Sequence, residues 1–111
     1  MLEALWSVEF LSTNTQGKGA GVIVLESSRA FGGDSQYFYI GTYQLDRDIL
    51  KAEVKVTHYA GLPYSVFGPL KELTLKLEGK IAERTFDLNG HRVDQPGMKI
   101  IARLTKRADL P

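Results

Sequence analysis

Apolar and polar residues alternate with a period of two over most of the chain. Leu50-Lys51-Ala52-Glu53-Val54-Lys55-Val56-Thr57 keeps the alternation for eight residues, the pattern of a strand with one dry face and one wet face. Leu73-Thr74-Leu75-Lys76-Leu77-Glu78 repeats it, and Met98, Ile100, Ala102 and Leu104 share one face of a later run. Tyr37, Tyr39, Gly41, Tyr43 and Leu45 share a face, with Phe38, Ile40 and Thr42 opposite. Near the start, Trp6, Val8 and Phe10 alternate with Ser7 and Glu9. The runs are short and rich in aromatic and β-branched residues, as strands prefer. No ten-residue window carries a helical stripe.

Turn chemistry separates the runs at the spacing of an antiparallel all-β domain. Thr13-Asn14-Thr15-Gln16-Gly17, Glu26-Ser27-Ser28-Arg29, Gly32-Gly33-Asp34 and Asp46-Arg47-Asp48 mark four breaks, and Asn89-Gly90 is the sharpest signal, because both residues tolerate positive φ. The pattern predicts eight strands at about 4–12, 18–26, 29–32, 36–45, 48–59, 69–79, 81–88 and 98–106. Residues 62–70, bounded by Pro63 and Pro69, are the irregular stretch, with room for one short helical turn. Strands with one apolar face must cover that face and remove their edges. An eight-stranded antiparallel up-and-down barrel does both, and a β-sandwich is the alternative. Gly17, Gly19 and Gly21 fall on one side of the second strand. Such glycines mark a bend or a close backbone approach, which favours the barrel. A barrel of this size is just filled by side chains or holds one small ligand.

The length of 111 residues suits a single domain, 1–111, and no linker or repeat divides it. Fourteen basic residues against thirteen acidic ones leave a net charge of +1. That balance argues against direct nucleic-acid binding through phosphates and against a polybasic membrane anchor. With no cysteine, disulfides, thiolate metal sites and cysteine nucleophiles are excluded. The longest apolar run, 21–25, is far short of a membrane span, and no leader is visible, so a cytoplasmic location is expected.

Several segments together resemble one family. They are Leu5-Trp6-Ser7-Val8-Glu9-Phe10, Gly17-Lys18-Gly19-Ala20-Gly21-Val22, Gly32-Gly33-Asp34-Ser35 with Tyr37, Tyr39 and Gly41, Thr57-His58-Tyr59, and Pro96-Gly97-Met98-Lys99. Their order and spacing resemble the GrlR-type family, named for negative regulators of type III secretion. The likeness runs from about Leu5 to Leu104. It implies a calycin-like eight-stranded barrel, a homodimer and no enzymatic activity; no cofactor is expected. It also implies regulation by sequestering a protein partner such as a transcriptional activator. Family regulators can carry a strongly acidic turn after the Tyr-rich strand. Here Leu45-Asp46-Arg47-Asp48 supplies two acids with an arginine between them.

The same likeness to calycin barrels implies that Trp6 closes the barrel base and that Arg103, on the last predicted strand, stacks on it. Ala4 stands where those barrels carry a glycine. Trp6, Phe10, Tyr39, Val56, Leu75, Ile100 and Arg103 are the expected core or cavity set. The Tyr37, Tyr39 and Tyr43 stripe fits a core, a cavity wall or a dimer contact. His58 reads as hydrogen-bonded structure and His91 as solvated. A serine triad of Ser65, His58 and Asp34 has no supporting motif, and the glycines at 17, 19 and 21 lack the ending of a phosphate loop. Asp46 and Asp48 sit in a turn where water keeps both ionised, which is not an acid–base pair.

Two functions follow as expectations. In the first, the barrel is an interaction module that contacts a partner through Asp46, Arg47 and Asp48 and through Tyr64 and Phe67 of the 62–70 loop. That loop carries apolar residues where a polar connection would be cheaper, and it either forms a contact surface or folds over the barrel as a lid. In the second, an apolar small ligand sits inside the barrel, in room left by Ala20, Gly41 and Ala52.

Overall fold

A computed structural model describes residues 2–111. Eight strands follow one another: β1 (Ala4–Ser12), β2 (Lys18–Glu26), β3 (Arg29–Gly33), β4 (Tyr37–Asp46), β5 (Ile49–His58), β6 (Glu72–Lys80), β7 (Thr85–Arg92) and β8 (Lys99–Asp109). Each pairs antiparallel with its sequence neighbours, and β1 pairs with β8, so the sheet closes into an up-and-down barrel with no free edge. The sandwich alternative is thereby excluded. At the seam the register shifts between Leu5 and Trp6, which pair with Ala108 and Lys106 and leave Arg107 as the extra residue. Such a bulge increases local twist, as closure requires.

The inward positions are those with the apolar period. Tyr39, Val56 and Leu73 stand in one row across β4, β5 and β6; Leu88 faces Ala102, and Phe86 faces Leu104. All are buried. Two tight hairpins are set by non-glycine residues at positive φ. Ser27 (φ 52°) and Ser28 (φ 64°) join β2 to β3, and Arg47 (φ 59°) turns β4 into β5. The Ser27 amide donates to the Glu3 carboxylate at 2.7 Å, which fixes the first of these turns.

One turn expectation fails. Asn89-Gly90 lies inside β7, where Gly90 pairs with both Leu77 and Ile100. A Cβ on Gly90 would stand 2.2 Å from the Lys76 carbonyl oxygen, so this glycine serves close strand packing rather than reversal. The chain reverses at 93–98 instead, and β7 therefore spans Thr85–Arg92 rather than 81–88. Residues 62–70 form no helical turn; Ser65 and Gly68 exchange backbone hydrogen bonds of 2.9 Å in a small loop of their own.

Up-and-down order sorts the connections by barrel end. The β1–β2, β3–β4, β5–β6 and β7–β8 connections share one end. The start of β1, the end of β8 and the β2–β3, β4–β5 and β6–β7 turns share the other.

Candidate functional site

The barrel encloses a cavity of about 410 Å³ toward the β5–β6 end. Its walls are aliphatic, with Leu50, Val54, Val56, Leu75, Ile100 and Leu104 among them. Room arises because small residues occupy inward positions: Ala30, Ala52 and Ala102 all line it. The second-strand glycines explain themselves here. A Cβ on Gly19 would lie 2.3 Å from the Phe10 ring, and one on Gly21 would lie 2.7 Å from the Tyr39 hydroxyl. Both glycines make space for aromatic side chains from neighbouring strands, and Phe10 meets Tyr39 edge-on at 6.3 Å.

The floor is solid. Trp6 is fully buried, its indole Nε1–H donates to the Leu2 carbonyl at 2.8 Å, and Phe86 packs edge-on at 5.0 Å. Trp6 closes the base without lining the cavity. The expected Arg103 stack does not form. Ala102 and Leu104 take the inward positions of β8, so alternation sends Arg103 outward. There its guanidinium donates to both oxygens of Asp87, at 2.8 and 3.2 Å. That pairing holds the Asp87 carboxyl below the usual carboxylate range. Lys106 is the base that the register sets opposite Trp6. Counting by twos from Ile100 reaches it, a signal the sequence reading passed over.

Residues 59–71 cross the open end as a lid. Phe67, expected on a contact surface, is buried beneath it and lines the cavity, while Tyr64 and Leu62 remain exposed. The loop turns Phe67 inward because that ring has an anchor. The Arg92 guanidinium lies 5.9 Å from its centroid. Arg92 is itself buried and is held by Asp94 through hydrogen bonds of 3.0 and 2.7 Å. Thr15 and Tyr37 add hydroxyl bonds to the lid carbonyls of Val66 and Leu70. A Cβ on Gly17 would collide with the Val66 carbonyl at 2.4 Å, so the lid sits directly on the start of β2.

Beside the lid, Asp34 organises the β3–β4 turn. Its Oδ1 accepts from the Gln36 and Tyr37 amides at 2.8 and 2.7 Å, and its Oδ2 accepts from the Tyr39 hydroxyl. Burial first, and then the bond to Asp34, pushes the Tyr39 phenol far above its ordinary value. Tyr59 donates its hydroxyl to the Asp34 carbonyl. The carboxylate at the cavity mouth was legible only as part of a turn signal. His58 is structural, with Nε2 2.8 Å from the Gly61 carbonyl and its ring against Tyr37 at 5.6 Å. His91, expected in solvent, is half-buried, with Nδ1 3.0 Å from the Arg92 carbonyl oxygen. Ser65 donates to Gly68, so Ser65, His58 and Asp34 each have other partners and form no relay.

The Asp46-Arg47-Asp48 turn is exposed at the floor end, with Asp48 3.5 Å from the Lys80 ammonium. It and the Tyr64–Phe67 segment therefore occupy opposite ends of the barrel, not one surface. A different exposed apolar face lies on the outer wall: Val22, Phe31, Phe38 and Ile40 from β2, β3 and β4. Phe31 faces Ile40 in register, and Phe38 meets Tyr59 at 6.2 Å. Among the described residues, no three histidine, aspartate or glutamate side chains gather as a metal site.

No model of a known protein family matches the chain, and no curated protein matches it in sequence.

Proposed function

We propose that the protein is a non-catalytic binding barrel that takes one small apolar ligand under the 59–71 loop. The observation that carries this reading is the lidded aliphatic cavity of about 410 Å³, within the size range of small-molecule sites. Dispensable voids are rare in protein interiors, because each forfeits contacts and stability. A cavity kept open by Ala30, Ala52 and Ala102 on three different strands is a feature of the sequence, not a packing accident. Native mass spectrometry of the purified protein is the test. A bound adduct, or stoichiometric uptake of an added apolar probe, is expected. Bare protein that takes up no probe would contradict the reading.

A second reading keeps the GrlR-type resemblance: a cytoplasmic homodimer that sequesters a protein partner such as a transcriptional activator. What supports it is the outer face of Val22, Phe31, Phe38 and Ile40, a contiguous apolar surface of the kind that marks contacts. A second copy is the occupant proposed for that face, which leaves the exposed Asp46-Arg47-Asp48 turn for the partner. Light scattering should give twice the monomer mass for the wild type and the monomer mass for Ile40→Asp. A wild-type monomer at high concentration would defeat the dimer.

A further inference from the structure

We infer that the cavity selects ligands whose polar end donates hydrogen bonds, alkyl amines above all and alcohols next, and that it disfavours carboxylates. This rests on the cavity reading above and adds the ligand's chemical class to it.

Three hydroxyls on the inner side of the mouth have already committed their protons, whereas those of Ser35 and Tyr64 stand at its rim, exposed to water. Tyr39 donates to Asp34, Tyr37 to the Leu70 carbonyl and Ser65 to the Gly68 carbonyl. What these groups still offer a ligand is lone pairs. Asp34 adds a carboxylate, which has about four acceptor positions. Three are used, two by backbone amides and one by Tyr39, so Oδ2 keeps one. Asp34 takes part in none of the ion pairs found among the described residues.

Its position points the charge into the barrel. The Tyr39 hydroxyl that bonds Oδ2 is inside, since a Cβ on inward-facing Gly21 would stand 2.7 Å from it and 3.2 Å from the Asp34 Cβ. Lys18 is the cation on the cavity lining, but it does not balance Asp34. Gly19 and Gly21 face inward, so alternation along β2 sends Lys18 to the outer side, where it is exposed. Gln36 offers both donor and acceptor and is indifferent to sign. An anionic head would meet the Asp34 charge with no compensating cation inside. An ammonium or hydroxyl head would find an unfilled acceptor, with its chain against the aliphatic wall.

The test is displacement of the uncharged fluorophore N-phenyl-1-naphthylamine by dodecylamine, dodecanol and dodecanoate, each below its micelle concentration. Dodecylamine should compete at about a tenfold lower concentration than dodecanoate, or better. Asp34→Asn keeps the Oδ1 acceptor of the turn and removes the charge, and it should erase the amine's advantage while the fluorophore still binds. Equal or stronger competition by dodecanoate in the wild type would overturn the inference and leave the cavity reading standing. No fluorophore binding at all would end both. If Asp34→Asn does not fold, the wild-type ranking decides alone.

Discussion

The two ends of the barrel are closed by different means. At the floor, Trp6 is fully buried against Phe86, Tyr43 is buried as well, and tight two-residue hairpins close the strands. Above it Ala30, Ala52 and Ala102 leave the middle of the barrel open, and at the mouth a long connection has to bend back to cover the opening. The floor stabilises the fold; the mouth uses little of its enclosed space for that purpose. The difference teaches that burial alone does not make a core residue. Phe67 is as buried as Val56, yet it belongs to a lid held by one cation–π contact and a few hydrogen bonds.

The comparison breaks first at Trp6. Trp6→Ala removes the largest fully buried side chain and should cost about 3–5 kcal/mol in urea unfolding. An unchanged midpoint would take Trp6 out of the floor. Phe67→Ser should cost less, about 1–2 kcal/mol, because the lid shields a cavity rather than packed side chains. Its clearer effect should be faster release of bound fluorophore in stopped flow. A loss equal to that of Trp6→Ala would make the lid part of the core.

Alkaline pH sharpens the contrast further. Tyr39, Tyr37 and Tyr43 all ionise above the ordinary 10.0 in the folded protein, chiefly through burial. A folded-state pKa raised in this way means that stability is intact below pH 10.0 and declines as pH rises beyond it. Absorbance at the phenolate band should therefore show these tyrosines ionising later than exposed ones, Tyr39 last of all, and Tyr39→Phe should reduce the alkaline loss. Free titration of every tyrosine in folded protein would contradict their burial. The smallest effect belongs to Arg103→Ala. Both partners of the Arg103–Asp87 pair are exposed to water, so the thermal midpoint should stay in place. A large drop would restore Arg103 to the interior.

Strands were legible because a period of two is written directly into β1, β4, β5 and β8. Closure was legible through the demand that edges be covered. Gly90 misled because glycine after asparagine has two uses, turning and close approach, and only the neighbouring strands distinguish them. Arg103 misled for a simpler reason: the expected stack was taken from the resemblance, although Ile100, Ala102 and Leu104 already assign it to the outer face. The sequence alone did not decide whether the 62–70 loop would be a lid or a contact surface. What settles Phe67 inward is Arg92, a residue of a distant strand whose burial depends on Asp94. The Asp34–Tyr39 bond was out of reach for the same reason, since it needs Gly21 to leave space from a third strand.

The most direct test of the central claim is a fluorophore titration of two proteins side by side, the wild type and Ala52→Phe. The substitution places a ring in the cavity from the inward face of β5. N-phenyl-1-naphthylamine should bind the wild type saturably at one per chain and lose about tenfold or more in affinity for Ala52→Phe, whose unfolding midpoint should be little changed. Equal binding by both proteins, or no saturable binding by the wild type, would contradict the account.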